Sequence, residues 1–230
     1  MTRQILIVSR TQMKNGVCVG GIDLNSFELI RLHNKRGGNL TIDTPYQIGE
    51  VWEMNVELPW NPRVKPHVED RMTTPLSLVG CISMQDVSDY LNGNFVKVKI
   101  APGYSNKILY VINSYVINGE NMKSKIAKGT LSTTFEKKLK FFGWSSYIGK
   151  EDVPNFSTQF WISDKPLYHK VSFKKHYYVY DNTYIPFVGF QNKIDVIPAG
   201  TIIRLSLANW WDRDGSGEKR CYLQLSGWYL

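Results

Sequence analysis

The chain has 230 residues, 43% of them hydrophobic and 13% aromatic. That is enough apolar material to bury the core of one large domain or two small ones, and too much for a disordered chain. No stretch approaches about 18 consecutive apolar residues, which excludes an apolar membrane-spanning helix, and the opening apolar run, Ile5 to Val8, is too short for the core of a signal peptide. The formal charge of +8 suits a polyanionic partner and equally suits plain solubility. Residues 1–115 hold 12 basic and 10 acidic groups and residues 116–230 hold 16 and 10, so the excess lies in the second half.

Read in chain order, most segments are short strands. Ile5–Val8, Val17–Ile22 and Phe27–Leu32 are rich in β-branched and aromatic residues and are bounded by Gly or Asn. Glu50–Leu58 alternates, with Trp52, Met54, Val56 and Leu58 on one side and Glu53, Asn55 and Glu57 on the other, the period of a half-buried strand. Residues 59–75 carry four prolines, which argues against a helix or a central strand and predicts a functional loop. Ser83–Leu91 reads as a short helix, Phe95–Ile100 and Ile108–Ile117 as strands, and Thr133–Gly143 as a basic helix opened by the capping box Thr133-Thr134-Phe135-Glu136. Trp144–Pro166 is irregular but rich in large aromatics, and is expected to be a packed connector. Tyr177–Asp181, Tyr184–Phe190, Ile203–Leu207 and Cys221–Leu225 complete the strands, the last two alternating with Arg204, Ser206, Tyr222 and Gln224 on their polar sides. The pattern predicts an all-β protein with minor α, built as two small units joined by a partly helical connector.

The three cysteines, Cys18, Cys81 and Cys221, are far apart and lie in apolar strand-like runs, so buried, reduced thiols in a cytoplasmic protein are expected. Phosphate-loop, dinucleotide-loop, nucleophile-elbow and Cys-x-x-Cys patterns are absent. Asp212–Gly217 has the look of a calcium loop, but its twelfth position is Leu223 where a Glu is needed, so it reads as a polar turn. His67-Val68-Glu69-Asp70 sets an imidazole and two carboxylates together, a weak candidate for acid–base chemistry without the cysteine pair of zinc deaminases. His169 and His176, seven apart and read as one strand region, are expected on opposite faces, which argues against a shared metal. Lys170–Tyr178 interleaves lysines with aromatic rings, as do Trp60, Arg63, Lys65 and His67 in the proline-rich loop, a composition suited to base stacking beside phosphate contacts.

The first forty residues are the most distinctive. Ile5-Leu6-Ile7-Val8 leads to Arg10, then Gly16-Val17-Cys18-Val19-Gly20-Gly21, then Ile30-Arg31-Leu32 and Gly37-Gly38. With the proline-led loop Pro62 to His67 and the late Cys221-Tyr222, this order resembles the dual OB-containing domain family of bacteria. Leu32 stands where that family favours Pro, and Glu69-Asp70 replaces a Gln-Asn pair, so the groups recognised there differ in kind. The resemblance implies two OB-like β-barrels: residues 1–120 with the loop 59–75, a connector over 121–166 with the basic helix, and a second barrel over 167–230. It also implies recognition of nucleic acid or nucleotides in a bacterial defence or conflict setting; with the charge and the aromatic content, single-stranded DNA or RNA is the expected partner. The expected contact residues are Arg10, Lys14, Arg31, Arg36, Trp60, Arg63, Lys65, His67, Lys174 and Lys175. No cofactor, metal or membrane is expected. The alternatives are an enzyme acting on nucleotides or RNA through His67, Glu69 and Asp70, and a protein-interaction adaptor.

Overall fold

The computed structural model describes residues 1–60, 67–94, 147–148, 157–180, 183–209 and 221–230. The first unit is made of β1 (Thr2–Met13), β2 (Gly16–Asp23), β3 (Leu29–His33), β4 (Glu50–Glu57) and β5 (Asp70–Cys81). They close into a barrel in the order β1-β2-β3-β5-β4. Every pairing is antiparallel except β3 with β5, which run parallel with Arg31 opposite Asp70. The turn from β1 to β2 depends on Gly16, whose φ of 117° favours glycine and where a Cβ would run into the Leu40 carbonyl. Ile5 and Ile7 of β1 point into the barrel with Val17, Val19, Ile30, Leu32 and Met54. Leu6 and Val8, of opposite parity, face outward into a second core, so the unbroken apolar run Ile5–Val8 is a strand buried on both faces.

A single helix is described, α1 (Met84–Asn94). Ser83 and Asp86 cap it reciprocally: the Asp86 N–H donates to Ser83 Oγ at 3.1 Å, and the Ser83 N–H and Oγ–H donate to Asp86 Oδ2 at 3.1 and 2.6 Å. Val87 and Leu91 are its buried stripe.

The second unit holds β6 (Tyr147–Ile148), β7 (Thr158–Ile162), β8 (Leu167–Ser172), β9 (Lys175–Tyr180), β10 (Thr183–Pro186), β11 (Val196–Ile197), β12 (Ile202–Leu207) and β13 (Cys221–Tyr229). They form two four-stranded sheets, β10-β9-β8-β11 and β6-β13-β12-β7, joined by a bridge from Phe187 to Leu225. Both sheets turn apolar side chains into one core that includes Trp161, Leu167, Tyr178, Ile203, Leu225 and Trp228. β6 and β7 fall inside the span read as connector and are members of the second sheet.

The two units share a third core. Leu6, Val8 and Ile22 from the barrel wall and Val87 and Leu91 from α1 pack with Phe160, Ile202 and Tyr229. The Tyr229 hydroxyl donates to the Val8 carbonyl, and the Gln12 N–H donates to the Val188 carbonyl at 2.7 Å.

Four expectations need correction. Residues 70–75 are strand rather than loop, and β5 runs on to Cys81. Pro75 is tolerated because β3 pairs only with residues 70–72, leaving its other edge free, and because it sits beside a register shift against β4. The cysteines are not all buried: Cys18 is half-buried and Cys81 exposed, since the outer half of β5 is exposed throughout, and both are free thiols. Arg204 is buried at 5% exposure rather than on an open polar face, because both faces of β12 are covered. His169 and His176 lie on neighbouring strands of a hairpin, their rings stacked with centroids 5.1 Å apart and Nε2 of His169 at 2.9 Å from Nδ1 of His176. Counting parity fails there because the chain reverses at Phe173-Lys174. Phe95–Ile100, Ile108–Ile117, the basic helix over Thr133–Gly143, Trp144, Phe156 and the turn Asp212–Gly217 lie outside the described residues.

Candidate functional site

The parallel pairing of β3 with β5 brings together the residues at the junction of the two units. Because Arg31 lies opposite Asp70, its guanidinium meets that carboxylate in a two-point contact, Nε to Oδ1 at 2.5 Å and Nη2 to Oδ2 at 2.8 Å. His33, two residues along on the same face of β3, places Nε2 at 3.1 Å from Asp70 Oδ2. Burial works against the Asp70 charge, but His33 and Arg31 outweigh it and hold the carboxyl well below the usual carboxylate range. The neighbouring carboxyl behaves in the opposite way. Glu69 is buried, accepts a hydrogen bond from the Ser157 hydroxyl on Oε1, and is pushed up by burial, its Oε2 having no hydrogen-bond partner among the described residues.

Arg204 comes to the same place from β12. Its Nη2 donates to Thr158 Oγ1 at 3.1 Å, and its Nε has no hydrogen-bond partner among the described residues. Burial pushes its pKa down, and Tyr229, Cys18 and Glu69 offset this only in part. Gly20 on β2 makes room for it: a Cβ there would lie 2.8 Å from Arg204 Nη2. Between the units opens a cleft of about 230 Å³ whose wall includes Lys14, Cys18, Arg31, Ser157, Thr158 and Arg204. Among the described lining residues, the charged groups are all cations and none is aromatic.

A different surface forms at the tip of the β8–β9 hairpin. The loop is two residues long, Phe173 at φ 48° and Lys174 at φ 62°. Paired left-handed residues make the tight turn that matches strand twist, and Asn-Gly is the usual occupant. A Phe-Lys pair there is strained by about 1 kcal/mol per residue. Phe173 is largely exposed, at 70%. Lys174, Lys175 and Lys170 are exposed beside it, with Val171 and Tyr168. His176, on the same hairpin, is held below the usual imidazole value by burial, Lys193 and His169.

The residues expected to contact a ligand are thus divided. Lys14 and Arg31 meet in the cleft, and Lys174 and Lys175 meet on the hairpin. Arg10 is occupied elsewhere, donating to Gln47 Oε1 at 2.9 Å and the Ile42 carbonyl at 3.2 Å with its guanidinium 5.4 Å from the Phe190 ring centre. Arg36 is exposed in the loop after β3. Trp60 is 84% exposed at the edge of the proline-rich loop, and Arg63 and Lys65 lie outside the described residues. His67 is buried, with Nε2 at 3.2 Å from the Ala208 carbonyl oxygen. Glu69 and Asp70 are held by Ser157, Arg31 and His33. Sequence reasoning missed Arg204, Ser157 and Thr158. The usable signal was Ile202-Ile203-Arg204-Leu205, where apolar residues of both parities flank the arginine and indicate a strand covered on both faces.

A closed five-stranded barrel with a Greek-key order, carrying exposed aromatic and basic side chains beside it, defines an OB-type protein. The model of one family, the dual OB-containing domain, matches residues 3–228, nearly the whole chain, and the chain belongs to that family. No curated protein and no solved structure gives a significant match. OB folds are a common framework for binding oligonucleotides and oligosaccharides. No described helix is long and apolar enough to cross a membrane.

Proposed function

We propose that this chain is a nucleic-acid-binding module for single-stranded DNA or RNA, working in the bacterial cytoplasm in a defence or conflict setting. The observation that carries the binding reading is the hairpin tip. Phe173, in a left-handed backbone conformation and largely exposed, lies on the same hairpin as the exposed Lys170, Lys174 and Lys175. Backbone strain held at an exposed ring marks a place kept for contact rather than stability. Single strands bind OB surfaces through rings that stack on bases and cations that meet phosphates. Trp60 offers a second exposed ring next to Arg63 and Lys65 in sequence. The cellular setting rests on the family alone.

Fluorescence anisotropy with labelled single-stranded DNA and RNA tests this. Affinity is expected to fall with salt at a slope of about −0.7 per phosphate contact. Phe173→Ala is expected to weaken binding by about 1–3 kcal/mol. Lys174→Ala with Lys175→Ala is expected to flatten the slope by about 1 to 1.5. Absence of binding at low salt overturns the reading in favour of a protein-binding adaptor.

A further inference from the structure

The cleft between the units is chemically unlike the hairpin. Three cations line it: the exposed Lys14 and the more buried Arg31 and Arg204. Arg31 commits Nε and Nη2 to Asp70, which leaves Nη1 uncommitted among the described residues. Arg204 is more than nine-tenths buried, and its Nε has no hydrogen-bond partner among the described residues. A buried guanidinium with an idle donor is a costly arrangement unless an acceptor completes it. Glu69 does not complete it: its Oε1 accepts from Ser157, and its Oε2 makes no hydrogen bond to any described residue. The hydroxyls of Ser157 and Thr158 add polar wall, and no acidic side chain is among the described lining residues.

Size and shape narrow the ligand. At about 230 Å³ the cleft is smaller than the roughly 300 Å³ that begins the range of drug-sized ligand sites. It has no described ring on which a nucleobase could stack. It therefore fits a small multivalent anion better than a base, and planar guanidinium groups are the donors of choice for phosphate oxygens. We propose that the inter-unit cleft is a binding site for a phosphate monoester group, held by Arg204, Arg31 and Lys14. The site uses none of the hairpin residues and stands whether or not the hairpin binds strands.

Titration calorimetry of the full-length protein with inorganic phosphate, AMP and adenosine is the test. Phosphate and AMP are expected to bind and adenosine to give no heat. Because phosphate also stabilises folded proteins by exclusion from their surface, the variants supply the control. Arg204→Met, which keeps volume without the charge, is expected to lower phosphate affinity by more than about tenfold. Lys14→Ala, at an exposed position where folding is not at risk, is expected to lower it by about three- to fivefold. Two sources of the phosphate are separated by competition. A 5′-phosphorylated oligonucleotide displacing phosphate far better than AMP and its 5′-hydroxyl twin assigns the site to a strand end, and AMP competing as well as the strand assigns it to a free nucleotide; both carry the proposal. No binding of phosphate or AMP at millimolar concentration, adenosine binding as well as AMP, or phosphate binding unchanged in Lys14→Ala overturns it. Failure of strand binding to the hairpin leaves the phosphate titration intact, so the two readings fail separately.

Discussion

Arg31 and Arg204 stand where burial strips most of their water away, whereas Lys174 in the two-residue turn and Lys175 at the start of β9 stand in open solvent. The same charge does different work in the two places. In the cleft a cation without a partner is expensive, so each neighbour matters: Asp70 answers Arg31, Thr158 takes one donor of Arg204, and burial pushes the Glu69 carboxyl up, which the charges of Arg31 and Arg204 offset only in part. On the hairpin, water and salt screen the lysines, so they contribute little to stability and can be committed to a ligand. What costs energy there is the backbone of Phe173 and Lys174. The buried region is constrained by electrostatics, the exposed one by conformation.

The largest expected effect tests the buried side. Asp70→Asn leaves Arg31 and His33 without their counter-charge and is expected to destabilise the fold by about 3–5 kcal/mol in denaturant melts. Glu69→Gln, one residue away, is expected to be neutral or stabilising at pH 7. Equal losses in the two variants would break the contrast between a held and an unheld carboxyl.

The pH dependence sharpens the same point. The Asp70 carboxyl lies below its unfolded value, so its contribution is complete above about pH 4 and is lost as pH falls from there toward its folded value. The Glu69 carboxyl lies above its unfolded value, so its contribution is present below about pH 4 and is lost as pH rises through its folded value. Melts from pH 3 to pH 7 should therefore show Glu69→Gln gaining on the wild type as pH rises.

A smaller loss is expected at the shared core. Tyr229→Phe removes the hydrogen bond to the buried Val8 carbonyl and is expected to cost about 1–2 kcal/mol, with the hydrophobic contacts kept. On the hairpin the sign reverses. Lys174→Gly relieves a left-handed residue and is expected to gain up to about 1 kcal/mol. The smallest effect belongs to Lys175→Ala, expected within about 0.5 kcal/mol of the wild type, since the side chain is exposed. A loss beyond about 1 kcal/mol there would mean that the hairpin lysines are structural.

Much of the strand pattern was written in local periodicity. Glu50–Leu58 alternates and holds β4, which ends at Glu57 and leaves Leu58 exposed, and Val17–Ile22 lies within β2. Ser83–Leu91 carries its own cap, and α1 follows from it. These features depend on neighbours in the chain, so the sequence states them. The family too was legible, from Gly-rich turns and basic residues in the first forty positions. The candidate site was legible only in fragments. Arg31 and Asp70 were each visible, but their pairing is created by β3 and β5 lying parallel after a long excursion. Arg204 looked like the solvent side of an alternating strand until the first unit, at Gly20, covered it. The two histidines were assigned opposite faces because a parity count does not survive a turn. Periodicity tells which side chains share a face of one strand; which faces then meet, and so which charges lose their water, is decided by long-range strand pairing, and only the tertiary structure contains it.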